Sequence, residues 1–132
     1  MKDMFILIAD DEAGERFLIV QALKETGSFS RVEAVNNGRD LLAYLGNADV
    51  LPDVVLADIN MPLVSGFEAL CEVKSSPEFA PISFIIFSSA GNPAEIETAR
   101  VLGADNYIVK PMDFEGYIKM ARGLASFLEN KK

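Results

Sequence analysis

The chain has 132 residues, half of them hydrophobic and 24% charged, a balance that predicts a folded globular domain with a real core rather than disorder. Twenty acids against twelve bases give a net charge of −8, which makes nucleic acid and anionic membranes poor partners. The chain has no histidine, which excludes His-based triads, His metal ligands and any phosphohistidine role, and its single cysteine, Cys71, forbids an internal disulfide or a Cys-built zinc site.

The apolar opening run, Met4 to Ala9, is too short for a signal-peptide core or a membrane span, and a cytoplasmic protein is expected. Within it Phe5–Ala9 predicts a strand buried on both faces, stopped by Asp10 and Asp11. Glu12–Thr26 follows as a helix with Phe17, Leu18, Ala22 and Leu23 at helical spacing, closed by Gly27. Arg31–Val35 is a short strand, Asn36-Asn37-Gly38 a turn, and Arg39–Leu45 a short helix with Leu41, Leu42 and Leu45 inward. After Pro52, Asp53–Ala57 gives another buried strand that ends at Asp58.

Ser65 and Glu68 have the spacing of a capping box and open a helix through Ser75, on which Cys71 reads as a small buried hydrophobe. Pro77 and Pro81 flank a break before the strand Ile82–Phe87, which ends on Ser88 and Ser89. Asn92-Pro93-Ala94-Glu95 supplies an N-cap, a proline at the first helical position and an acid at the third, and this helix stops at Gly103. Tyr107–Val109 is the last strand, Lys110-Pro111 a loop, and Asp113 caps a final helix to about Leu128. Gly116 and Gly123 fall on about one face of that helix, either permitting close packing or only weakening it. Lys131-Lys132 reads as a frayed end. Five uninterrupted strand–helix pairs predict one doubly wound α/β domain over residues 1–132, a five-stranded parallel sheet with five helices.

In such a sheet the binding crevice lies beyond the carboxyl ends of the strands. There this sequence places Asp10-Asp11, Asp58, Ser88 and Lys110. Carboxylates gathered at one sheet edge repel one another unless a cation sits among them, and Mg²⁺, a hard ion with oxygen ligands, meets that need. The same acids repel the phosphate of a ready-made nucleotide, and no Gly-rich phosphate loop follows the first strand. Singly, each residue has an ordinary reading. Asp10 and Asp11 favour a helix dipole, Asp58 caps a turn, Lys110 is a solvated charge, and Tyr107 is a strand residue with a wet hydroxyl. Their convergence on the strand ends favours a site. Met61, Leu63 and Val64 beside it read equally as a docking patch or as loop packing.

On Asp10-Asp11, the stretch Asp58-Ile59-Asn60-Met61-Pro62 with Gly66, Ser88, and the segment from Gly103 to Pro111, the chain resembles the receiver domain of the response regulators of two-component signalling. The resemblance runs from the first strand through the last helix. It implies a flavodoxin-like fold with strand order 2-1-3-4-5. With the sequence stopping at the fifth helix, the expectation is a receiver with no output domain or, equally, a piece cut from a larger protein. It implies that Asp58 accepts a phosphoryl group from a histidine kinase or histidine phosphotransferase in a Mg²⁺-dependent step. Asp10, Asp11, Asp58 and the backbone carbonyl of Asn60 then hold Mg²⁺, Ser88 bonds the acyl phosphate, Lys110 pairs with its oxygens, and Tyr107 is the aromatic switch. Lys110-Pro111 matches a peptide bond that is usually cis in the family.

The signal then passes by phosphorylation-dependent contact with a downstream protein, and a homodimer through the fourth helix, fifth strand and fifth helix stays open. The chemistry agrees with these roles: an aspartate is a competent phosphoryl acceptor, and the transfer asks mainly for positioning and charge neutralisation. No turnover beyond the chain's own phosphorylation and dephosphorylation is expected. Other readings stand beside this one. They are a receiver-like scaffold that is not phosphorylated, a flavodoxin-like cofactor binder, and a small Mg²⁺-dependent aspartyl phosphatase. That last chemistry usually wants an acid where this chain has Asn60.

Overall fold

In the computed structural model, residues 4–130 are described, so Lys131 and Lys132, read above as a frayed end, lie outside the described residues. Each apolar run becomes a strand and each capped amphipathic run a helix: β1 (Phe5–Ala9), α1 (Ala13–Thr26), β2 (Arg31–Val35), α2 (Gly38–Asn47), β3 (Val54–Asp58), α3 (Gly66–Ser75), β4 (Ser83–Ser88), α4 (Pro93–Val101), β5 (Asn106–Val109) and α5 (Phe114–Asn130). The strands pair in parallel in the order β2-β1-β3-β4-β5, the flavodoxin-like order expected. Residues of β1, β3 and β4 are buried throughout, as a sheet covered on both faces requires.

Strand side chains alternate between two cores. Ile6, Ile8, Leu56, Ile85 and Phe87 face Ile19, Leu23, Tyr117 and Leu124 of α1 and α5. Leu7, Val55, Phe84 and Ile86 face Leu41, Leu45, Leu70 and Val73 of α2 and α3. The expected capping box is present, Ser65 accepting from the Glu68 amide while Glu68 accepts from that of Ser65. Asn37 and Asn92 cap α2 and α4 with their side chains alone, accepting from the amides of Asp40 and Glu95. A second clip is built around Lys74, whose ammonium donates to the carbonyls of Ala80 and Ile82 and to Asp105 Oδ2, each at 3.0 Å. Asp105 in turn accepts from the Phe84 amide at 2.7 Å, which ties α3 to the starts of β4 and β5.

Several expectations need correction. Phe17 is exposed, because α1 buries Ile19, Ala22 and Leu23, and position 17 points away from that stripe. Cys71 is exposed for the same reason: α3 buries Ala69, Leu70 and Val73. The Lys110–Pro111 peptide is trans, since there is no cis bond among the described residues. Gly116 does permit close packing, a Cβ there falling 2.7 Å from that of Pro111, whereas Gly123 meets nothing within 4 Å. No helix among the described residues is long and apolar enough to cross a membrane.

The strand ends lie one residue later than the apolar runs suggest. The parallel ladder continues to the pairs Asp58↔Phe87 and Ser88↔Val109, so both polar side chains sit on strand rather than loop backbone. Beyond Asp58 the chain turns tightly. Leu63 has φ 73° in a three-residue turn closed by a 2.8 Å bond from the Val64 amide to the Pro62 carbonyl. Met61 packs inward while Leu63 faces solvent, so loop packing accounts for the first and not the second. Gly66 then brings α3 directly onto the strand end, its amide bonded to the Ile59 carbonyl at 2.9 Å. A Cβ at this position falls 2.3 Å from the backbone oxygen of Asp58. Gly66→Ala is therefore expected to lower the unfolding free energy by about 1–3 kcal/mol, measured by urea denaturation. An unchanged midpoint would contradict the close approach.

Candidate functional site

The site is assembled from the carboxyl ends of three strands and the first turn of one helix. Asp10 follows β1 and its carboxyl is fully buried. Its Oδ1 accepts from the Glu12 amide at 2.9 Å, and its backbone carbonyl accepts from Arg16 Nη1 at 2.8 Å. Its Oδ2 is buried without a hydrogen-bond partner. Asp58 closes β3 at 6% exposure. Lys110 follows β5, held in place by its amide, which donates to the Ser88 carbonyl at 2.8 Å. The Lys110 ammonium lies 3.3 Å from Asp10 Oδ2, 3.3 Å from Asp58 Oδ2 and 2.5 Å from Glu15 Oε1. It also stands 5.5 Å from the centre of the Phe87 ring.

Burial decides the electrostatics. It pushes the Asp10 carboxyl up to about 6, against the Glu12 amide and the Lys110 charge, while Asp58 and Glu15 push it further upward. Asp58 is raised by the same burial, opposed by Lys110. Burial alone would lower Lys110, but the Glu15 hydrogen bond and the charges of Asp10, Asp58 and Glu15 outweigh it and hold the ammonium above lysine's ordinary value. One carboxylate oxygen from each of Asp10, Glu15 and Asp58 lies within 4.8 Å of the others. Three carboxylates against one ammonium leave excess negative charge, and Asp10 Oδ2, ion-paired to Lys110, accepts no hydrogen bond. An all-oxygen donor set with this charge fits a hard divalent cation.

The sequence-predicted residues are not all brought together. Asp10, Asp58 and Lys110 meet. Asp11 is exposed and outside the three-carboxylate group, although its charge still raises Asp58. Asn60 is exposed, and its amide bonds the Asp58 carboxyl. Ser88 is buried at 1% exposure and Ser89 is exposed, which separates the two serines. The Ser88 Oγ accepts from the Ala90 amide at 3.2 Å and donates to Glu95 Oε1 at 3.1 Å. Tyr107, half-buried on β5, directs its hydroxyl at the Ala90 carbonyl and at Glu95 Oε1, the latter at 2.7 Å. Burial and the Glu95 bond raise its phenol.

Two functional acids escape the sequence reading. Glu15 and Glu95 both fall in the first turn of a helix, where an acid is explained by the helix dipole alone. The available signal is position: each opens the helix that follows a site-bearing strand, within a turn of the crevice.

The family model for the response regulator receiver domain matches residues 6–122. A probable chemotaxis protein CheY of Rhizobium etli is 30% identical over 110 residues, covering 83% of this chain and 83% of that protein. Chemotaxis protein CheY1 of Helicobacter pylori is 33% identical over 108 residues, covering 82% of this chain and 86% of that one. Among solved structures, the phosphorylated cyanobacterial phytochrome response regulator RcpA superposes with a TM-score of 0.88 at 27% identity, covering 99% of this chain and 97% of that one. With the fold order and the strand-end residues in register, these matches establish that the chain belongs to the response regulator receiver domain family.

Proposed function

We propose that this receiver accepts a phosphoryl group on Asp58 from a histidine kinase or histidine phosphotransferase and signals through phosphorylation-dependent contacts with a downstream protein. The observation that carries the reading is the buried Asp58 carboxyl at the end of β3, 3.3 Å from the Lys110 ammonium and grouped with Asp10 and Glu15. An Asp58 oxygen attacks phosphorus, the P–N bond to the donor imidazole breaks, and the imidazole leaves with the electron pair. In this reading Lys110 pairs with the transferred oxygens, and Ser88 donates its hydroxyl to one of them. Asp10, Asp11, Asp58 and the Asn60 carbonyl are the residues that would hold Mg²⁺, with Glu15 adding a further carboxylate. The cation supplies neutralisation of the charge spread over the phosphoryl oxygens. RcpA, a relative of the same fold, is described in its phosphorylated form, which supports the assignment. Tyr107 is the residue through which the change reaches the surface around α4 and β5.

The reading is tested by intact mass after incubation with acetyl phosphate and Mg²⁺. Wild type is expected to gain one phosphoryl group, and Asp58→Asn or addition of EDTA to abolish the gain. No gain in wild type, or an undiminished gain in Asp58→Asn, would contradict it.

The acid cluster gives a second test, in stability against pH. The Asp10 carboxyl binds its proton more tightly in the folded chain, at about 6, than at its ordinary value of 3.8. Its contribution is therefore full below about pH 4 and is lost as pH rises through about 6. Relative to Asp10→Asn, metal-free wild type is expected to lose on the order of 2–3 kcal/mol between pH 4 and 7. At pH 7.5 Mg²⁺ is expected to stabilise wild type and not the variant, read as the urea midpoint. Parallel pH profiles for the two proteins would contradict this electrostatic account.

A further inference from the structure

We propose that Glu95 is a positioning residue: in the dephosphorylated chain it holds the Ser88 hydroxyl and joins it to Tyr107, so that a phosphoryl group on Asp58 must take that hydroxyl from Glu95. The inference rests on the reading of Asp58 as the phosphoacceptor. Ser88 has a single hydroxyl proton, and it is aimed at Glu95 Oε1 at 3.1 Å, with the Tyr107 hydroxyl as the other neighbour of the serine side chain. The same oxygen faces the Tyr107 hydroxyl at 2.7 Å. Ser88 is 1% exposed, so little water is at hand to replace a lost partner, and a bond to a carboxylate is stronger than one between neutral groups.

Glu95 is itself fixed. Its amide is bonded to Asn92 Oδ1 at 2.8 Å, and it stands at the N-terminus of α4, where the helix dipole favours its charge. Among the described residues no Lys or Arg forms a salt bridge with it, so its hydrogen-bond donors here are two neutral hydroxyls. When Ser88 turns its proton to a phosphoryl oxygen, Glu95 keeps only Tyr107. The loss falls on the Glu95 carboxylate, whose remaining donor is the tyrosine hydroxyl, a group that also faces the Ala90 carbonyl. Ser88 and Tyr107 are thereby coupled through one carboxylate oxygen in the first turn of α4. Removing the carboxylate frees Ser88 for the phosphorylated state and favours that state.

Beryllofluoride with Mg²⁺, a reversible phosphoryl analogue that binds a carboxylate, reads this competition as an affinity. Its Kd is measured by calorimetry for wild type, Glu95→Gln, Glu95→Ala, Ser88→Ala and the Glu95→Ala/Ser88→Ala double variant, beside the acetyl phosphate mass shift of wild type. Glu95→Ala is expected to bind about 3- to 10-fold tighter than wild type, with the isosteric Glu95→Gln between them. The gain is expected to vanish when Ser88 is absent, which a general structural effect of the substitution would not produce. Unchanged or weaker binding by both Glu95 variants overturns the proposal, as does a gain of equal size in the Ser88→Ala background. A wild-type chain that takes up neither the phosphoryl group nor beryllofluoride overturns the phosphoacceptor reading first and this proposal with it.

Discussion

Lys110 brings one ammonium to three carboxylates that arrive from separate parts of the chain: Asp10 beyond β1, Glu15 in the first turn of α1 and Asp58 at the end of β3. Its side chain is 9% exposed and those of Asp10 and Asp58 are 0% and 8%, so water does little of the screening that surface ion pairs receive. Burial therefore acts on Asp10, Asp58 and Lys110. It lifts the two aspartates toward their neutral forms, while the Glu15 hydrogen bond and the charges of all three acids keep the lysine protonated. One cation does not balance this many acids. The surplus is negative charge of the kind that a hard divalent cation would neutralise.

The fold is the means of bringing these groups together. Parallel strands covered on both faces leave their carboxyl ends as the place where polar side chains can stand in register, and β1, β3, β4 and β5 all end there. Asp58 and Ser88 are the last residues of their ladders, so their backbones are pinned by strand pairing rather than left to a loop. Gly66 lets α3 close directly over Asp58, and Lys74 locks the opposite end of the layer. Rigid strands position the chemistry. The more exposed β4–α4 segment, with Ala90 and Glu95, is where a hydrogen bond can change partners.

Much of this was legible in the residues. Apolar runs of strand length, each broken by an acid, a serine or a lysine, specify both the buried sheet and what stands at its edge. Asn92-Pro93 and the Ser65/Glu68 pair fix helix starts because capping is a local interaction that needs no knowledge of the fold. What was not legible depends on direction across space. The exposure of Phe17 and Cys71 follows from which stripe of a helix meets the sheet, and a short amphipathic pattern does not settle that. Glu15 and Glu95 look like ordinary first-turn acids until the crossovers bring them to Lys110 and Ser88. Asp11, adjacent to Asp10 in sequence, is exposed past the end of β1, where strand alternation no longer fixes its side.

A buried Lys110 ammonium holds these carboxylates together in their charged forms. Unfolding free energies of wild type and Lys110→Met, measured from pH 4 to 8 without divalent cation, test it most directly. The account predicts a loss of about 3–5 kcal/mol at pH 8 that shrinks toward pH 4, as the carboxylates take up protons and no longer need the cation. A loss of the same size at every pH would contradict it, because it would mean that Lys110 contributes packing rather than charge.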